Sequence, residues 1–311
     1  MLCCGVTVRA TILTMTLLVS FCRGDFSARA AEVQTNESPV CVRLPFEIRH
    51  GSALVSGRVN DSEPLAFKLD TGFGVTTIHP GLVEALGLKR AGTLSITGIA
   101  GREEADWYSG ARFDFGGETY SPRRVAVIPS DAQRSRRERD GILGSSFFRR
   151  FVVEIDPVEK LVTLRDPGQF NYAGNGEIVR LQFRRDTPIV EAAFKFPDQA
   201  PVLARYEIDS GCDGALCLGH DFVLSHRLEE LAAPRRNGSR TGVGGSVATH
   251  QGRLPEFQLG AQKLTNVPAN FFMKGSPVDE GLAGHIGLGL LRQFRVIFDY
   301  SRRRMILEPL Q

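Results

Sequence analysis

Leu65-Ala66-Phe67-Lys68-Leu69-Asp70-Thr71-Gly72 recurs later in the chain as Leu203-Ala204-Arg205-Tyr206-Glu207-Ile208-Asp209-Ser210-Gly211, with one residue of slack. Each copy is a short apolar run that ends in an aspartate, a hydroxyl residue and a glycine. Asp70 and Asp209 stand 139 residues apart. Further landmarks follow in the same order. Gly98-Ile99-Ala100-Gly101 matches Gly242-Val243-Gly244-Gly245, and Ile142-Leu143-Gly144 matches His285-Ile286-Gly287. Phe151–Asp156 matches Phe294–Asp299. The later pairs keep offsets of 144, 143 and 143. One such match is easily accidental, but four in order mark a duplication. Its period far exceeds the roughly 20–50 residues of a solenoid repeat, so each copy is a lobe in its own right.

Working outward from the repeat, residues 41–170 form the first lobe and residues 171–311 the second. The joint lies in Asp166–Gly176, a stretch rich in turn formers. Short runs bounded by Gly, Pro, Asn or Asp read as strands: Val42–Ile48, Ala53–Val59, Leu65–Leu69, Phe151–Ile155 and Leu161–Leu164. Asp156-Pro157 and Asp299-Tyr300 turn two hairpins at equivalent places. Helical spacing is confined to Pro80–Leu88 and Phe222–Leu231, each downstream of an aspartate strand. The expected fold is mainly β, with two pseudo-symmetric, barrel-like lobes and the site between them.

The chain has 311 residues, enough for about two domains. Its 42% hydrophobic and 23% charged content is that of a globular protein and excludes a wholly disordered one. A net charge of +3 calls for neither nucleic acid nor an anionic membrane as partner. Residues 1–30 have the layout of an export signal: Arg9, the apolar run Ala10–Phe21, and small residues at Ala28-Arg29-Ala30. The run is too short to span a bilayer as a helix. The expected product is exported, periplasmic or extracellular, and membrane-associated if the signal stays uncleaved. Residues 31–40 are a short polar leader. Beyond the signal, Cys41, Cys212 and Cys217 remain; the last two could form a local bridge, but three buried thiols is the favoured reading. The sequence has no C-x-x-C, H-E-x-x-H or EF-hand pattern, so neither metal nor cofactor is expected. The six histidines read as structural or surface, and the arginines of Asp131–Asp140 as a solvated run.

The chemistry follows from the repeated triplet. Each aspartate closes an apolar strand at a glycine turn. If the lobes pack about a two-fold axis, equivalent residues meet there, and Asp70 faces Asp209. Two carboxylates so close cannot both ionise easily, and they share a proton. The ionised one can take a proton from water while the protonated one donates to a carbonyl oxygen. Peptide-bond hydrolysis is the natural use of such a pair. A single Asp-Thr-Gly is weak evidence, since both end residues are common in turns; its recurrence at equivalent places carries the inference. Gly98, Ile99, Ala100 and Gly101, with Gly242, Val243, Gly244 and Gly245, suit hairpin tips whose bare backbone binds an extended peptide.

Over residues 42–310 the sequence resembles the retropepsin-like aspartic proteases, in the bacterial form that carries both lobes in one chain. The resemblance rests on Asp70-Thr71-Gly72, Asp209-Ser210-Gly211, the two glycine-rich tips and the apolar-apolar-Gly segments. It implies that Asp70 and Asp209 are the catalytic pair. It also implies that Thr71 and Ser210 interlock across the lobe interface, and that Gly72 and Gly211 hydrogen-bond the carboxylates. A monomeric endopeptidase acting on peptide or protein substrates follows. The sequence departs from the family at Phe73 and Cys212, directly after the triplets, and at His285, where an apolar residue is usual. A noncatalytic peptide-binding or scaffold protein of the same fold is the alternative. A carbohydrate hydrolase using two carboxylates is a third reading, poorly matched by one Trp and five Tyr.

Overall fold

The computed structural model describes residues 39–133, 138–273 and 281–310. The signal, most of the leader, and Arg134, Arg136 and Arg137 lie outside the described residues.

Period-two burial builds the strand that carries the first triplet. In Leu65–Leu69 the side chains of Leu65, Phe67 and Leu69 are buried while Ala66 and Lys68 face the other way. In Val202–Asp209, Tyr206 and Ile208 are buried, and Glu207 and Asp209 share the opposite face. Around both strands the same arrangement repeats. Leu65–Leu69 pairs parallel with Gly141–Leu143, which pairs antiparallel with Thr77–Ile78. Val202–Asp209 pairs parallel with Gly284–Gly287, which pairs antiparallel with Leu216–Leu218. The registers agree: Lys68 stands beside Ile142 and Glu207 beside His285.

Two hairpins join the halves. Val152–Asp156 with Leu161–Arg165, and Phe294–Asp299 with Arg304–Pro309, pair through Val153↔Phe298, Glu154↔Ile297 and Ile155↔Val296. Exchanging each residue for its equivalent in the other copy leaves this set of pairs unchanged, which is the mark of a two-fold axis. The C-terminal hairpin thereby joins the larger sheet, so one sheet draws strands from both halves of the sequence.

The helical expectation holds in part. Pro80–Leu82 is a single 3-10 turn, and the chain behind it ends at Gly87 in the left-handed region, φ 63°. The second segment is two short helices, His220–Ser225 and Leu228–Leu231, broken at Arg227 with φ 51°. Two further short helices, Ser145–Arg150 and Leu288–Leu291, occupy equivalent positions after Gly144 and Gly287. Arg139 is not solvated as expected but pairs with Asp131 at 3.0 Å, both side chains largely buried.

An aromatic cluster of Phe67, Phe113, Phe115 and Phe147 fills the core behind the first triplet, each ring fully buried. Its twin behind the second triplet has Tyr206 where the first has Phe67, packed edge-on against Phe257 at 5.4 Å. The Tyr206 hydroxyl is buried and has no hydrogen-bond partner among the described residues. Removing an unpaired buried hydroxyl recovers its desolvation cost. Tyr206→Phe is therefore expected to raise stability by about 1 kcal/mol, read as a higher urea midpoint at unchanged slope. A lower midpoint would show that the hydroxyl is in fact satisfied.

Candidate active site

The two triplets meet. Thr71 Oγ1 accepts from the Ser210 N–H at 2.9 Å and donates to the Ile208 carbonyl at 2.7 Å. Ser210 Oγ accepts from the Thr71 N–H at 3.0 Å and donates to the Leu69 carbonyl at 3.1 Å. These four bonds form two symmetric pairs. Thr71 and Ser210 are almost wholly buried, so the bonds are shielded from water.

Asp70 and Asp209 lie close enough that each carboxyl acts on the other. The glycines permit that approach. A Cβ on Gly72 would sit 2.6 Å from Asp209 Cγ, and one on Gly211 would sit 2.0 Å from Asp70 Oδ2. No side chain fits at either place. Gly211 and Cys212 also donate their N–H groups to Asp209 Oδ1 at 2.9 and 3.1 Å. At Gly72 the fit to the opposite carboxylate, rather than a donated hydrogen bond, is what the structure shows.

Beneath each loop lies the glycine of the third landmark. A Cβ on Gly144 would be 2.1 Å from the Val75 carbonyl oxygen, and one on Gly287 would be 2.2 Å from that of Gly214. Ser145 N–H donates to the Phe73 carbonyl at 2.8 Å and Leu288 N–H to that of Cys212 at 2.7 Å. The two supports are equivalent bond for bond. Phe73 and Cys212 take part through their backbones, which any side chain at those positions would allow.

Two cations flank the carboxyls. Lys68 Nζ lies 3.3 Å from Asp70 Oδ2, and His285 Nδ1 lies 3.4 Å from Asp209 Oδ2. Burial, opposed by Lys68 and reinforced by Asp209, pushes the Asp70 carboxyl up to about 6. Burial alone would also raise Asp209, but His285 and Lys68 outweigh it and hold that carboxyl below its usual range. Neither cation was anticipated among the site residues, and His285 is not the structural or surface histidine expected. Lys68 was legible as the residue two before Asp70 on a strand, hence on its face. His285 needed the parallel register, which local sequence does not give.

The glycine-rich segments are hairpin tips, between Lys89–Gly98 and Gly101–Ser109 and between Ala233–Gly242 and Gly245–Leu259. They touch each other. Ala100 N–H donates to the Val243 carbonyl at 3.3 Å, and a Cβ on Gly98 would be 2.4 Å from Val243 Cβ. Ile99 lies against Gly242, and Gly244 against the backbone of Ala100 and Gly101. Contacts between equivalents fall on the two-fold axis, so tips and carboxyls share one axis.

Cys212 Sγ and Cys217 Sγ are 3.0 Å apart as free thiols. The hydrogen bond between them and burial both raise the Cys212 thiol, which removes it as a nucleophile. Among the described residues no three His, Cys, Asp or Glu side chains cluster to hold a metal, and no helix is long and apolar enough to cross a membrane.

The aspartyl protease family model matches residues 55–147, which span the first triplet and the first tip. No curated protein matches the chain. Among solved structures, an aspartic proteinase from Irpex lacteus superposes with a TM-score of 0.54 at 13% identity, over 87% of this chain and 97% of that one. The chain has the pepsin-like aspartic protease fold.

Proposed function

We propose that this chain is an exported aspartic endopeptidase in which Asp70 and Asp209 activate a water between them. The observation that carries the reading is the close approach of two largely buried carboxyls at the two-fold axis, on loops held by the Thr71–Ser210 bonds. With Asp70 raised and Asp209 lowered, one proton resides on the pair across the acid range. The tips Gly98–Gly101 and Gly242–Gly245 part to admit an extended peptide, which their backbones hold by strand addition. Residues 41–170 and 171–311 act as the two lobes. Because one chain supplies both aspartates, the active form is a monomer. Residues 1–30 direct export, and the peptide or protein substrate is met outside the cytoplasm.

The test is the mature chain with a mixed peptide library from acid to neutral pH, products read by mass spectrometry. Cleavage is expected at acid pH and should fall away above about pH 6, where Asp70 loses the shared proton. It should persist in chelator and stop with a statine-type peptide. Binding of peptides without cleavage at any pH would favour the scaffold alternative.

A further inference from the structure

The two-fold symmetry of the site breaks in its charges. Lys68 is matched by Glu207, Ile142 by His285, and Thr77 by Cys217. Each aspartate therefore has a cation, but by a different route: Lys68 from the strand of Asp70, His285 from the strand beside Asp209.

The surroundings of His285 are anionic. Asp209 and Glu207 face it from Val202–Asp209, with Glu207 directly alongside in register. Cys217 stands opposite on Leu216–Leu218, and Cys212 approaches from the loop after the triplet. The Phe272 ring closes the remaining side, edge-on with centroids 6.5 Å apart. Of the other cations, Lys68 acts on Asp209 across the pair, and Arg240 acts on Cys212 and Cys217 and pairs with Asp213 at 2.6 Å. Burial alone would lower the imidazole, but Asp209 and Glu207 outweigh it and push it up to about 10.

The two carboxyls are consequently unlike. Asp209 Oδ1 receives two backbone N–H groups and its Oδ2 meets the imidazole. Such a set stabilises the ionised form on both oxygens. Asp70 has Lys68 at Oδ2 and its partner aspartate.

Building on the peptidase reading, we infer that His285 is a positioning residue that keeps Asp209 ionised, making Asp209 the base and Asp70 the acid. Water then attacks the substrate carbonyl carbon, giving one proton to Asp209 as Asp70 gives its proton to the carbonyl oxygen. In the collapse the C–N bond breaks. The leaving nitrogen takes the proton from Asp209, and a hydroxyl proton of the tetrahedral intermediate returns to Asp70. Both carboxyls end as they began.

The test is the pH profile of kcat/KM for wild type, His285→Gln and His285→Ile, the last installing the residue of the twin position. The acid limb, set by Asp209, is expected to move up by at least about one pH unit in His285→Ile, with the alkaline limb little changed. That means a loss of about tenfold or more on the acid side and a much smaller one at the optimum. His285→Gln, neutral but still a donor, should fall between. A uniform loss at every pH would make the role structural and overturn the inference. Should the variants not fold, NMR titration of the wild-type imidazole decides: His285 should stay charged through neutral pH, and titration near its ordinary value overturns the proposal. A wild type inert at every pH would overturn the peptidase reading and the base assignment with it, while the titration still reports whether His285 is a fixed charge.

Discussion

Asp70→Asn and Asp209→Asn are each expected to lower peptide hydrolysis by about 10²–10⁴-fold, with the double variant no worse than either. An amide can neither accept the proton of water nor share a proton with its partner, so one substitution disables both groups. Stability should split the two variants where activity does not. Asp70 has a raised value in the folded chain, so its favourable contribution is present below the ordinary carboxylate range and is lost as pH rises through about 6. At neutral pH Asp70→Asn removes a like charge from the pair and should melt at or above wild type. Asp209 has a lowered value, so its contribution is present above the ordinary carboxylate range and is lost as pH falls below that range. Asp209→Asn strands the largely enclosed His285 imidazolium and should melt lower. Thermal melts at neutral pH beside the peptide assay read both effects. Full activity in either single variant would remove the shared-proton mechanism, and equal melting points would show that the carboxyls are electrostatically alike.

The duplication made much of this architecture legible. Equivalent landmarks at near-constant offset imply a two-fold axis, and an axis brings equivalent residues together. That Asp70 would meet Asp209 therefore followed from counting along the chain, whereas the contact of the two glycine-rich tips came from the structure. The side chains that break the symmetry were not legible in this way. His285 reaches Asp209 because Gly284–Gly287 runs parallel to Val202–Asp209 in one register, a pairing across more than seventy residues. The helices were the weakest point for a local reason. Ser145–Arg150 and Leu288–Leu291 are too short to show a helical period, and their first N–H groups, of Ser145 and Leu288, donate to the Phe73 and Cys212 carbonyls. Pro80–Leu88 has helical spacing, yet ends at Gly87 before a second turn is complete.

The Thr71–Ser210 bonds carry the second large effect, because they join the halves at the point where the chemistry is proposed. Thr71→Val keeps the shape of the side chain but removes the hydroxyl. The Ser210 N–H and the Ile208 carbonyl each lose a partner where water cannot replace it. At about 1–3 kcal/mol for each buried group left unpaired, the cost is roughly 2–6 kcal/mol, a large part of the roughly 5–15 kcal/mol that holds a domain together. Ser210→Ala removes the other two bonds and should cost a similar amount. Since all four bonds close one ring, the double variant should be less damaged than the sum of the singles, with a coupling of about 0.5–3 kcal/mol. Thr71→Ser retains the hydroxyl, as Ser210 does in the twin position, and should recover most of the loss. Activity should follow a distinct course. With the loops untied the carboxyls no longer hold their mutual position, so kcat should fall in Thr71→Val while the pH limbs stay put, because the charges around the pair are unchanged. Urea unfolding of the four variants with their pH profiles separates the two effects. Wild-type stability in Thr71→Val would mean that the ring does not hold the halves together, and a displaced pH limb would mean that the hydroxyl acts on the protons rather than on the position of the loops.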